Sequence, residues 1–125
     1  MTTHADLVEW CLAQPESEST RPFGPDVAVF KIAGKMFALV PDAANPATIS
    51  LKGDPLDNER LRHKHTSVTS GYHLNKKHWN TITCDGDVGN AEIRELIEDS
   101  YDLVVDSLPK KHRLRIQGQV RTQEP

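Results

Sequence analysis

The chain predicts an α+β fold: a two-layer sandwich in which an antiparallel sheet of about five strands carries helices on one face. Two observations point there. Val27 to Ile32 and Met36 to Val40 are apolar, partly β-branched runs separated by Ala33-Gly34-Lys35, the spacing and composition of a β-hairpin. Ile93, Leu96, Ile97, Tyr101, Val104, Val105 and Leu108 then recur at helical period up to Pro109, a stripe that lies across a sheet.

The elements follow in order. Thr3 and Asp6 form an N-cap pattern, and Leu7, Val8, Cys11 and Leu12 repeat at helical spacing until Pro15, which predicts a short first helix. Gln14 to Asp26, rich in Pro, Ser and Glu, reads as a loop before the hairpin. Thr48 to Lys52 is a third strand with Ile49 and Leu51 on one face. Asp54 caps a second helix with Pro55 at its first position, which ends in the basic run Arg60-Leu61-Arg62-His63-Lys64. Val68 to Leu74 and Trp79 to Cys84 are two further extended segments, with Asn75, Lys76 and Lys77 at their connecting turn. Asp87 or Asn90 caps the long helix. The order is α-β-β-β-α-β-β-α. Lys110 to Pro125 has few apolar anchors and reads as a frayed end, so residues 1–115 form one domain and 116–125 a flexible tail.

Composition bounds the function. A chain of 125 residues buries one core without metal or disulfide support. No apolar run approaches a membrane span, and the first residues lack a basic region followed by an apolar one, so cytoplasmic residence is expected. Cys11 and Cys84 are isolated and read as buried hydrophobes. A net charge of −3 argues against a protein that coats nucleic acid indiscriminately. The distribution is uneven, however. Between Arg60 and His78 stand five Lys or Arg and four His with no carboxylate, whereas Asp85 to Asp106 is strongly acidic.

The run His73-Leu74-Asn75-Lys76-Lys77-His78-Trp79 concentrates this cationic character beside an indole. Exposed lysines release counterions from phosphate, and an amide meets a base edge. The bland counterpart is a polar turn that blunts a sheet edge, with Trp79 packed in the core or along its rim. His63, His65, His73 and His78 do not follow a zinc-ligand spacing, so no metal and no cofactor is expected. No nucleophile–base pair or phosphate loop appears, which disfavours an enzyme; a small-molecule cleft beside His73 and His78 would reopen that question.

Four stretches in order resemble the MmcQ/YjbR family of small bacterial proteins commonly described as DNA-binding: Val29 to Leu39, Gly71 to Asn80, Ile93 to Val105 with Leu96-Ile97 and Ser100-Tyr101, and Leu108-Pro109-Lys110-Lys111. The resemblance spans nearly the whole chain. It implies helices on an antiparallel sheet like that of secretion chaperones, and contact with double-stranded DNA through wing-like hairpins. Here those wings are the Gly34-Lys35 tip, flanked by Lys31, and the turn Asn75-Lys76-Lys77-His78. The expected contact residues are thus Lys35, Asn75, Lys76, Lys77 and His78, with Arg60, Arg62 and Lys64 joining if the second helix ends nearby. The alternative is a module that takes a protein or peptide on the open face or edge of its sheet.

Overall fold

Thr3 opens the first helix as read from the sequence: its hydroxyl accepts the Asp6 N–H at 3.1 Å while the Asp6 carboxylate accepts the Thr3 N–H at 3.0 Å. The computed structural model describes residues 1–71 and 74–119. Its elements are α1 (His4–Leu12), β1 (Glu18–Thr20), β2 (Val27–Ile32), β3 (Lys35–Pro41), β4 (Thr48–Lys52), α2 (Pro55–Lys64), β5 (Val68–Ser70), β6 (Trp79–Thr83), α3 (Asn90–Asp106) and α4 (Lys110–Gln117).

The strands form one antiparallel sheet in the order β1-β2-β3-β4-β6-β5. There are six strands rather than about five. The extra one, β1, lies in the segment expected to be a loop; it is three polar residues long and paired to β2, with the Thr20 hydroxyl donating to the Val29 carbonyl at 3.1 Å. Ala33 and Gly34 both have positive φ, 50° and 80°, as a two-residue hairpin loop between twisted strands requires.

Alternation sorts the two faces. Ala28, Phe30, Ile32, Val40, Ile49, Leu51 and Ile82 pack with the buried stripe of α3 and with Leu7, Trp10 and Cys11 of α1 in one core. Phe37 meets Tyr101 edge-on, ring centroids 5.4 Å apart. The opposite face carries no helix among the described residues. Register places a single row across it, one residue per strand: Thr20, Val29, Leu39, Ser50, Thr81 and Thr69. The Ser50 and Thr81 hydroxyls lie 2.8 Å apart within that row.

Two further expectations are corrected. The start of α3 is capped by neither Asp87 nor Asn90: the N-cap is Gly89, with no side-chain bond. Asp87 instead accepts the Ser67 N–H at 3.0 Å, and Asn90 accepts the Thr2 hydroxyl. The segment from Lys110, read as a frayed end, forms α4 through Gln117. One apolar anchor, Ile116, is buried in the core, and Arg115 pairs with Glu16. Residues 120–125 lie outside the described residues.

Candidate functional site

The β2–β3 turn and the β5–β6 connection project from the same end of the sheet. Ile32 pairs with Lys35, Lys52 with Trp79, and Ser70 with Asn80, so these pairs all stand at that end. β3, β4 and β6 are neighbours, which puts the Lys35 strand and the Trp79 strand about 10 Å apart. Lys52, the last residue of β4, lies between them. It was not singled out in the sequence, because only the non-local strand order brings it there. Lys35 and Lys77 are exposed and have no side-chain partner among the described residues.

The second turn is stitched together by its own side chains. Asn75 Oδ1 accepts the N–H groups of Lys77 at 3.0 Å and His78 at 3.2 Å, and the Trp79 N–H reaches the Asn75 carbonyl at 3.0 Å, which makes one capped helical turn. Its carboxamide oxygen is thereby spent on the backbone. Lys76 Nζ donates to the Gly71 carbonyl at 3.2 Å, leaving donors over. His78 is exposed, and its carbonyl accepts the Gly53 N–H at 2.9 Å. Asn58, buried in α2, donates from Nδ2 to both the Gly53 carbonyl at 3.2 Å and the Lys77 carbonyl at 3.1 Å. Trp79 is 7% exposed, so it anchors the turn. A Cβ on Gly71 would stand 2.7 Å from Trp79 Cβ, and only glycine permits that approach.

The second helix contributes differently from expectation. It starts beside the turns, at Asp54, and runs about 15 Å away from them to His65, whose carbonyl accepts the Val68 N–H at 3.2 Å at the other end of the sheet. Lys64 is therefore remote, within 4.0 Å of Glu92. Arg62 turns inward and donates to Asn80 Oδ1 at 2.7 Å, and Arg60 faces Asp57 at 3.3 Å. Lys31, the flank of the first turn, stands opposite Glu18 in the β1–β2 register.

The histidines are scattered. His63 is exposed near Glu59, whereas His65 is buried between Asp87 (3.5 Å) and Glu92 (3.4 Å), clamping the end of α2 to the start of α3. His73 lies outside the described residues. No group of three or more His, Cys, Asp or Glu that could hold a metal stands among the described residues. None of their helices is long and apolar enough to cross a membrane.

Residues 12–103 match the YjbR family model. The chain belongs to the YjbR family. It is 33% identical to the uncharacterized protein YjbR of Escherichia coli K12, over 89% of this chain and 94% of that one. It is 38% identical to the uncharacterized protein YbdF of Escherichia coli O157:H7, over 90% of this chain and 93% of that one. The crystal structure of Deinococcus radiodurans protein DR2400, a DUF419 domain, superposes with a TM-score of 0.88 at 39% identity, over 99% of this chain and 94% of that one. A Pseudomonas syringae protein, PsR293, gives 0.71 at 30% identity, over 82% and 98%. The YjbR match contains both turns and all of α2, and ends before α4.

Proposed function

We propose that this protein binds double-stranded DNA, weakly and without catalysis, through the lysine-bearing end of its sheet. The observation that carries the reading is that Lys35 at the start of β3, Lys52 at the end of β4 and Lys77 in the turn before β6 all stand at one end of the sheet. Ammonium groups gathered at one end of a sheet can engage phosphates along one duplex, and each phosphate neutralised releases counterions. Lys76 and His78 add charge from the same turn. Asn75 and Arg62 act on this reading by holding the turn and α2 in place, and Lys64 takes no part.

The test is fluorescence anisotropy of a labelled duplex across a salt series. Lys35→Ala with Lys77→Ala should weaken binding at every sequence and lower the slope of log K against log salt by about two, given roughly 0.9 per phosphate contact. Lys64→Ala should leave both unchanged. An unaltered slope in the double variant would remove this end of the sheet from the interface.

A second reading, a protein- or peptide-binding module, is favoured by the sheet face that carries no helix among the described residues, along which Thr20, Leu39, Thr81 and Thr69 are partly or fully exposed. It replaces the first if sizing shows a protein partner and no DNA binding is seen at low salt.

A further inference from the structure

On the helix side of the sheet, away from the open face, α2 and α3 do not close over the strands beneath them. A groove of about 180 Å³ remains between them. Its floor and walls carry the aliphatic groups of Leu51 of β4, Ile82 of β6, Leu61 of α2 and Leu96 of α3, with the buried amides of Asn58 and Asn80, each bonded to its neighbours, between them. Leu103, 37% exposed, stands at its side. Three carboxylates edge it: Asp54 and Asp57 from the start of α2, and Asp99 from α3. Lys52 borders the groove as well, but alternation along β4 sends its side chain to the opposite face.

We infer that this groove takes one long cationic side chain, lysine or arginine, from an amphipathic peptide segment of another protein. The volume lies below the roughly 300–1,000 Å³ of pockets that enclose drug-sized molecules. It suits a single side chain. Such a side chain has an apolar stem and a charged head, and the groove offers aliphatic walls below and carboxylates at the mouth in the matching order. Asp54 caps α2 through the Leu56 N–H at 3.0 Å and Asp57 faces Arg60, yet a carboxylate has about four acceptor positions, so both retain capacity for an incoming ammonium or guanidinium. Leu56, 64% exposed in the same turn of α2, gives an apolar neighbour of the peptide a place to rest.

Anisotropy with a short fluorescein-labelled helical peptide of leucine, lysine, arginine and alanine tests this, together with amide chemical-shift mapping. Binding is expected with shifts confined to α2, α3 and the ends of β4 and β6. The same peptide with glutamine at its cationic positions should lose it. Asp57→Asn with Asp99→Asn, both exposed and away from the core, should weaken binding about five- to tenfold, the effect of two surface charge pairs, with a parallel thermal melt to separate that loss from any change in fold stability. Equal binding of the glutamine peptide, an unchanged affinity in the double variant, or shifts at Lys35 and Lys77 or on the open sheet face would each overturn the inference. So would self-association of the protein alone that Leu103→Asp abolishes, because the groove would then belong to a second copy of this chain.

Discussion

The Ser100 hydroxyl donates to the Phe37 carbonyl at 2.7 Å, joining the middle of α3 to β3 across 63 positions of sequence. The same oxygen accepts the Lys52 N–H at 2.9 Å. Register carries Phe37 and Lys52 to facing positions, since Ala38 pairs with Leu51, so a fully buried hydroxyl bridges the two strands where they part. Both backbone groups are thereby satisfied.

Ser100→Ala removes that bridge and leaves a buried donor and a buried acceptor without a partner. It should destabilise the fold by about 1–3 kcal/mol. Urea denaturation measures it, with Ser107→Ala as control, because the exposed Ser107 hydroxyl bonds only the Val104 carbonyl within its own helix end.

Asn58→Ala should loosen the β5–β6 connection more than the rest of the molecule. Two carbonyls, Gly53 and Lys77, lose their donor, and Asn80, whose Nδ2 reaches the Asn58 carbonyl at 3.1 Å, keeps only a backbone link to α2 besides Arg62. A global cost of about 1–3 kcal/mol is expected, with amide exchange at residues 76–79 accelerating well beyond that of β2 and β3.

One part of the acid limb of stability should trace to a single serine. The Ser67 hydroxyl on Asp85 at 2.6 Å and the Ser67 N–H on Asp87 at 3.0 Å are the foremost reasons both carboxyls titrate below their ordinary range. A carboxyl whose pKa is lower folded than unfolded contributes stability that is complete above the unfolded value, near 4, and disappears as pH falls through the folded one. The urea midpoint should hold from neutral pH down to about 5 and fall below about 4. In Asp87→Asn the fall should be shallower.

Neither thiol should react in the native protein. Burial pushes Cys11 far above the ordinary thiol range; Cys84 is raised to about 11 by burial, with the Asp85 charge adding to it. At pH 8 a chromogenic disulfide reagent should find no fast thiol, and both should appear only on unfolding in urea.

Much of this architecture was readable because its signals are local. Thr3 with Asp6, Asp54 with Pro55, and Ala33-Gly34 between two apolar runs each declare an element within a few residues. What escaped has no local signature. β1 contains no apolar residue and exists through its pairing with β2, and α4 depends on Ile116 alone for burial. At the candidate site the cationic run was visible, but the adjacency of β4 and β6 that brings Lys52 between the turns is a long-range fact. The Asn75 cap was within reach, since asparagine opening a short turn commonly bonds the amides that follow it. Arg62 was not, because its inward course from α2 answers to Asn80 on β6.

The sheet ends on both sides in strands of three residues, β1 and β5. Backbone recruitment needs a longer run of unpaired amides and carbonyls than either border supplies among the described residues, so neither border invites a partner strand. A ligand of this molecule is then expected to recognise side chains, its binding legible in point substitutions rather than hidden in the main chain.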